Sequence, residues 1–579
     1  MRLIDYFYII IRLSPKQIVY RVLRIIKNKI IHNRKFLIKM FYLRKKNITI
    51  NSNFAPLVQN YVEINKRKAE KILNNKFEFL NKEIKFKDIN WIKTKNDYSI
   101  LWLYELNYFN YISLLIGEYN RNKNKKYIDK LLSLMNDWID NTRIAQNVSW
   151  DPYPISRRVV NWINTLNYLE RKNLASKEEI NKIKDSISLQ ISFLKSNLEY
   201  DLNNNHLTSN AKALIFAGVF FKGKESKKWL KKGLNLLKKR KNTEILKDGF
   251  QDERSSSYHI VTIKDYLEIF LLLKRNNINY NFDLYSTLEK MFDALSALIR
   301  PDLQIPLLND SVEDYPINLK ELMAVGAYLF DRSDFKYCAQ GADLNYFNNI
   351  FSKKEYQKYK KMKSNKPAIK EKIYKDAGYF VYRDGWDKDD KYLVFDFDSI
   401  NPKHCPGHSH SDDLSFELYA GNEVLLLDPG VYSYHDNKFR KYFKSTKNHN
   451  TISINGNNKS KLIGKFRVSK MGKTKLLNYK KNKILTTIKA KNIDYKNNIH
   501  IRQFDIYEDY IVLKDNLEFH DKNNTNIIET FFQLSPEFNC INIISDNKIK
   551  IDFKNIELFL TITDNINKGN IKLEDSFIS

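Results

Sequence analysis

The fold and the chemistry both turn on His404–Asn450, HCPGHSHSDDLSFELYAGNEVLLLDPGVYSYHDNKFRKYFKSTKNHN. Five of the ten histidines of the chain (His404, His408, His410, His435, His449) fall inside it. His408-Ser409-His410 leads through Asp412 into Leu414, Phe416 and Leu418, an apolar–polar alternation that predicts a strand. On a strand, residues two apart project on one face. Val424–Leu427 predicts a second strand, delivering Asp428 to a Pro429-Gly430 turn, and Thr451–Ile454 a third, directly after His449 and Asn450. Three strand ends can therefore gather two imidazoles and a carboxylate, a ligand set suited to zinc.

Downstream of this window the period stays at two. Short strands such as Ile499–Ile506, Tyr510–Lys514, Ile527–Leu534 and Ile556–Ile562 are separated by Asn, Asp and Gly turns, which predicts an antiparallel β-sandwich. Upstream, from about Ile100 to Phe351, the period is helical. Trp102–Ile116, Lys126–Asn141, Ser156–Leu169, Ser176–Leu198, His206–Phe221, Lys227–Lys239, Ser257–Leu273 and Asp283–Ile299 carry apolar residues at i, i+3, i+4 and i+7. Such a run of helical hairpins predicts a bundle, solenoid or toroid. The expected architecture is multidomain, α then β. Residues 1–95 read as a basic N-terminal helical extension, 96–351 as the helical domain, 352–373 as a linker and 374–579 as the sandwich.

Composition bounds the function. At 579 residues, 43% hydrophobic and 13% aromatic, the chain is long and apolar enough for large cores. Its 98 Lys and Arg against 67 Asp and Glu give +31, which suits an acidic partner, although a general bias toward Lys, Asn and Ile contributes. No phosphate loop, zinc-finger spacing or RNA-recognition signature is present, so nucleic acid is not the expected partner. The three cysteines, Cys338, Cys405 and Cys540, imply no disulfide framework, and Cys405 reads as a bystander beside the histidines. Residues 1–50 hold thirteen Lys and Arg and one acid, Asp5, among apolar residues. They predict basic amphipathic helices, either packed on the body or in peripheral contact with an anionic membrane. The apolar run in MRLIDYFYIIIRL is shorter than a signal core and no small-residue cleavage site follows, so sequence alone keeps the chain in the cytoplasm.

The helical half has its own polar stops. Asn203-Asn204-Asn205-His206 opens one helix, where Asn caps the backbone or, with His206, meets an anion at a helix N-terminus. Asp248-Gly249-Phe250-Gln251-Asp252-Glu253-Arg254-Ser255 opens another, with Tyr258 in its first turn. Trp150–Pro154 and Leu308-Asn309-Asp310-Ser311 lie at turns that open onto a cleft if the helices form a toroid.

Four stretches, NNNHLTSNAKALIFAG, DGFQDERSSSYH, GHSHSD with LLLDPGVYSY, and FKSTKNHNTISING, together resemble the heparinase II/III-like polysaccharide lyases, relatives of alginate lyases, in family order from about Trp102 onward. The resemblance implies an incomplete α/α toroid followed by an antiparallel β-sandwich, and β-elimination on a uronic-acid-containing anionic polysaccharide. It implies that Asn205 and His206 neutralise the uronate carboxylate, that Tyr258 serves as base, acid or both, and that His408 faces Tyr258 across the cleft. It further implies His410, Asp428 and His449 as ligands of a structural zinc, and Arg254 and Glu253 as substrate-binding or orienting residues. The resemblance implies the periplasm or cell envelope as the location, against the cytoplasm expected from the sequence alone. Ser209 stands where some heparinases have a Glu.

The residue types fit this chemistry. Hydrogen bonds from Asn205 and His206 spread enolate charge as the C5 proton leaves. Tyr258, with an ordinary pKa of about 10, needs a cationic neighbour such as Arg254 to act as base. Two other classes fit parts of the pattern: a zinc-dependent glycan hydrolase, since two His and one Asp with an open position activate water, and a non-catalytic glycan-binding accessory protein of polysaccharide biosynthesis, which leaves the acid–base set without purpose.

Overall fold

A computed structural model describes residues 3–31, 48–62, 65–93, 98–313, 318–434, 438–521, 525–545 and 548–561; His435 and the last residue of the strand expected over Ile556–Ile562 lie outside them. Helices occupy the first part of the chain and antiparallel strands the second, as the change of period predicts.

The helical domain is built on apolar stripes. Pro152–Arg171 buries Ile155, Val159, Trp162, Ile163, Leu166 and Leu169, a spacing that keeps one face of a 3.6-residue repeat in the core. Asn205–Phe220 runs through the middle of the domain and is buried at every position except His206. Its small residues permit this. A Cβ on Gly218 would lie 2.6 Å from the Leu230 backbone nitrogen, so the neighbouring helix Lys224–Glu244 packs directly on the main chain.

Three boundaries differ from expectation. Residues 48–93 are no extension: Phe54, Leu57, Phe77 and Trp91 join the main core, and Thr49–Ile50 pairs with Phe221–Lys222. Of the basic segment, Leu3–Ile10 and Pro15–Ile26 are helices. The stretch 352–373 is not a plain linker either. Lys353–Lys361 is a helix whose Tyr359 ring sits 5.0 Å from Phe347, and Glu371–Tyr374 is already the first sandwich strand. The helix expected over Trp102–Ile116 breaks in two at Phe109, where φ is +59°.

In the second domain, strands 371–374, 379–383, 392–396, 416–420 and 423–426 pair in sequence order. A four-stranded sheet, 473–481, 486–493, 499–506 and 511–518, faces them. Phe380, Phe395 and Phe416 from the first sheet meet Ile488, Ala490 and Phe504 from the second in one apolar core, the sandwich. Its first strand, Lys473–Lys481, escaped the sequence reading because it is a Lys-rich edge strand with no buried residue.

The domains are sewn together beside the Asp428-Pro429-Gly430 turn. Gly430 has φ +61°, and a Cβ there would lie 2.4 Å from the Ser311 carbonyl oxygen, which accepts a hydrogen bond from Val431 N at 3.0 Å. Tyr379 and Tyr392 donate to the carbonyls of Arg254 and Leu298 in the helical domain. This seam places the histidine-rich window against the helix openings at Asn205 and Ser256.

Candidate active site and metal cluster

A cleft of about 1870 Å³ runs between the domains, and Asn205, His206, Tyr258 and His408 all line it. Lys and Arg outnumber Asp and Glu twelve to five along its walls. Each of the four side chains is fixed by a local device. Asn204 caps the helix Asn205–Phe220 by accepting from the His206 amide, and Ser255 caps Ser256–Arg275 by accepting from the Tyr258 amide. Both helices thereby present their first turn to the cleft.

His206 donates through Nδ1 to Glu199 at 3.0 Å and stacks on Tyr153, ring centroids 4.1 Å apart. Burial works against the charged imidazole, but the Glu199 carboxylate prevails and raises the pKa of His206 above its ordinary value. The adjacent Asn205 gives its backbone N–H to Glu253 at 3.1 Å, and its buried side-chain oxygen has no hydrogen-bond partner. An imidazole whose protonated form Glu199 favours, beside an amide that can turn its Nδ2 donors to the cleft, suits a carboxylate ligand.

The Tyr258 and His408 rings lie 4.1 Å apart, and the Tyr258 hydroxyl pairs with that of Tyr434 at 3.1 Å. Burial first, then Tyr434 and the negative charge of Asp310, push the Tyr258 hydroxyl well above the ordinary phenol range. The expected cationic helper is absent from this spot. Arg254 has φ +57°, which turns it away from Tyr258 to pair with Asp398 and to donate to the Asp376 carbonyl at 2.6 Å, both in the sandwich. Glu253 is fully buried, and neither it nor Arg254 lines the cleft, so their expected contact with substrate gives way to roles inside the protein.

Glu253 instead underlies the site. Its Oε1 accepts from Asn205, and its Oε2 lies 3.7 Å from His408 Nε2. On the other side, His408 Nδ1 donates to Asp310 at 2.9 Å. Asp310 also pairs with Arg440 and lies 2.8 Å from His410 Nε2. Despite complete burial, Arg440 and the two histidines hold its carboxyl well below the usual range. Asp310, Arg440 and Tyr434 were not assigned from sequence. Asp310 and Tyr434 sit inside stretches quoted for other reasons, LNDS and VYSY, while nothing marked Arg440. Ser209, at the position of a Glu in some heparinases, donates to Asp265 at 2.7 Å, and Asp265 pairs in turn with Arg157 and Lys212.

Behind His408, the metal candidates cluster with one change. His410 and His449 are wholly buried with ring centroids 5.2 Å apart. The carboxylate whose ligand atom falls within 4.8 Å of theirs is Asp412, whereas Asp428 bonds His449 Nδ1 at 2.9 Å. Two imidazole nitrogens, His410 Nδ1 and His449 Nε2, are buried with no partner. Burial pushes Asp412 up to about 7 against the pull of His449, and brings His410 down to about 4. Unpartnered imidazole nitrogens beside a carboxylate that burial disfavours as an anion fit a zinc ion.

The relationships of the chain agree with this arrangement. Residues 27–337 match the family "Heparinase II/III N-terminus" and residues 369–576 match "Heparinase II/III-like, C-terminal". The chain belongs to the heparinase II/III family. A heparin-sulfate lyase of Bacteroides thetaiotaomicron is 25% identical over 418 residues, covering 67% of this chain and 57% of the relative, and one of Pedobacter heparinus is 24% identical over 401 residues, covering 66% and 56%. The chain thus spans little more than half the length of these curated relatives. Among solved structures, heparinase III superposes with a TM-score of 0.70 at 22% identity, over 89% of this chain and 81% of that one. A heparan sulfate lyase of Pedobacter heparinus gives 0.57 at 20% identity, over 92% and 79%.

Proposed function

We propose that this protein is a polysaccharide lyase that cleaves a uronic-acid-containing anionic glycan by β-elimination in the cleft between its domains. The observation that carries the reading is the convergence of Asn205, His206, Tyr258 and His408, drawn from two domains and 203 positions of sequence, on one cleft with an excess of basic residues.

In this reading the uronate carboxylate lies against His206, charged through Glu199, and the Asn205 amide, which together stabilise the enolate that forms as C5 loses its proton. Asp310, kept ionised by Arg440, holds the hydrogen of His408 on Nδ1 and leaves Nε2 to take the C5 proton. Glu253, 3.7 Å from Nε2, then stabilises the imidazolium. Tyr258, protonated through the neutral range and hydrogen-bonded to Tyr434, gives its proton to the departing glycosidic oxygen at C4, and release of the proton held by His408 with uptake of one by Tyr258 restores both groups. Proton removal at C5 and loss of the C4 oxygen leave a C4–C5 double bond, and charge balances. Arg254 and Glu253 act through other residues and bind no sugar.

A zinc ion held by His410, His449 and Asp412, with Asp428 orienting His449, would tie the sandwich loops behind His408. Its role is structural. The complete burial of both histidines argues against a hydrolase, whose metal must offer water to the substrate. The acid–base set argues against a mere glycan-binding accessory.

The test is incubation with a panel of uronate polymers, beginning with heparin and heparan sulfate because the relatives are named as lyases of these glycans. Ultraviolet absorbance of the unsaturated product supports the reading. Chain shortening without that chromophore overturns it in favour of hydrolysis.

A further inference from the structure

The helix pair at Leu3–Ile10 and Pro15–Ile26 takes no part in the chemistry above, yet its surface is unlike the rest of the protein. Of the twenty-eight large apolar side chains exposed among the described residues, thirteen lie within residues 3–30. They form faces, not scatter. Ile18, Val19, Val22, Ile25 and Ile26 follow the spacing of one helical stripe and are all exposed, and Leu3 and Phe7 are exposed to 89% and 59% on the first helix. Contiguous exposed apolar surface of this kind marks an interaction site.

The polar sides of the same helices are already engaged. Gln17 donates to the Asp201 carbonyl at 3.3 Å and Arg24 pairs with the Asp201 carboxylate at 3.2 Å, both on the helical domain. Asp5 pairs with Lys461 at 2.7 Å and Arg12 bonds the Val468 carbonyl, both on the sandwich. These contacts fix the pair across both domains with its apolar face outward. A helix pair waiting to fold onto its own protein would present the opposite face.

Charge selects the partner. Residues 1–50 carry thirteen Lys and Arg against a single acid, and that acid, Asp5, is buried against Lys461. No carboxylate of the pair therefore faces outward, while Lys16, whose ammonium lies over the Tyr200 ring, and Lys29 stand at exposed positions beside the apolar stripe. With 8 and 12 residues, the helices are far too short to span a bilayer, and none of the described helices is long and apolar enough to do so. An apolar face rimmed by cations and cleared of anions, on helices of this length, has the form of an interfacial anchor.

We infer that the outward face of this helix pair docks the protein on an anionic lipid bilayer. Because Arg12, Leu13 and Arg21 of the same pair also line the cleft, the docked protein holds the cleft mouth close to the membrane surface. The docking itself does not depend on the reaction proposed above.

The test uses the full chain in co-sedimentation with phosphatidylcholine vesicles, with and without about one-third phosphatidylglycerol. Binding should be at least tenfold tighter to the anionic vesicles and should weaken as salt is raised. Ile18→Glu, Val22→Glu and Ile25→Glu together should lower it at least tenfold with the melting temperature unchanged, since all three side chains are exposed. Lys16→Glu with Lys29→Glu should abolish the preference for anionic lipid. Wild-type protein that binds neither vesicle overturns the inference, as does a triple variant that still binds. It is also overturned if light scattering shows a dimer that the triple substitution splits, the face then being an interface between copies.

Discussion

Replacing Tyr258 with Phe removes one oxygen and keeps the ring against His408 at a centroid distance of 4.1 Å. The lost hydroxyl bonds only Tyr434, a neutral pair at 3.1 Å, so the stability cost is about 1 kcal/mol, a shift of roughly 1 °C in a protein of this size. The chemical cost is far larger. Without the hydroxyl, the acid in contact with His408 is gone and only the more distant Tyr434 remains, its ring 6.1 Å from that of His408, and loss of a positioned acid lowers turnover by about 10² to 10⁴, or about 3–5 kcal/mol of barrier. The assay is initial rate of product absorbance on whichever uronate polymer the wild type cleaves, run beside thermal unfolding. Because carboxylate binding rests on Asn205 and His206, the fall should appear in kcat with KM little changed. Burial, Tyr434 and Asp310 keep the hydroxyl protonated, so the wild-type rate should show no limb from Tyr258 below the ordinary phenol pKa of about 10. Full activity in the variant refutes the assignment. A rate loss matched by a collapse in melting temperature refutes the reasoning that separates chemistry from fold.

Asp310→Asn should cut kcat by a similar 10² to 10⁴ by releasing His408 from its tautomer, and should cost stability because Arg440 keeps its buried charge; wild-type kcat would remove Asp310 from the mechanism. Glu199→Gln removes the carboxylate that raises His206, so its pKa should fall and the alkaline decline of kcat/KM should begin at lower pH; an unmoved pH profile would count against His206 as the cation. The same pair contributes stability that is complete between about pH 4.5 and pH 6.5, is lost as pH rises through the raised value for His206, and is lost on the acid side as pH falls through the lowered value for Glu199, which pH-dependent unfolding of the variant and wild type should reveal. His410→Ala, or a strong chelator, should lower zinc content and melting temperature together; wild-type protein that is metal-free at full stability would dismiss the ion.

The parts of this site legible in sequence are those whose local pattern carries the geometry. A cap followed by an apolar helix places Asn205 and His206 at an N-terminus, and strand phasing with a Pro-Gly turn brings His410, Asp428 and His449 into one neighbourhood. What sequence could not supply is the direction of a side chain where the backbone leaves its regular path. Arg254 stands four residues before Tyr258, a spacing that on a helix makes the two neighbours, but a left-handed φ sends its guanidinium into the other domain. The choice between Asp412 and Asp428 is the same problem: both flank the histidines, and the fold alone decides which carboxylate joins the two imidazoles and which braces one of them.

Asp310 shows the deeper reason. It belongs to a turn of the helical domain, while the three groups it organises, His408, His410 and Arg440, come from the sandwich. No periodicity within either domain encodes that contact. It exists because Gly430 lets the sandwich turn press against Ser311, one residue from Asp310. A larger residue at position 430 would meet the Ser311 carbonyl and be strained by the positive φ, displacing the seam that carries Asp310 to His408. One glycine at the back of the cleft, beside Val431 in its wall, thus governs whether His408 and its carboxylate meet, and the same carboxylate, through His410, links His408 to the proposed metal cluster. The proposed acid–base pair and the proposed metal cluster are therefore one electrostatic unit assembled at the domain boundary. For that reason neither domain should show activity when expressed alone.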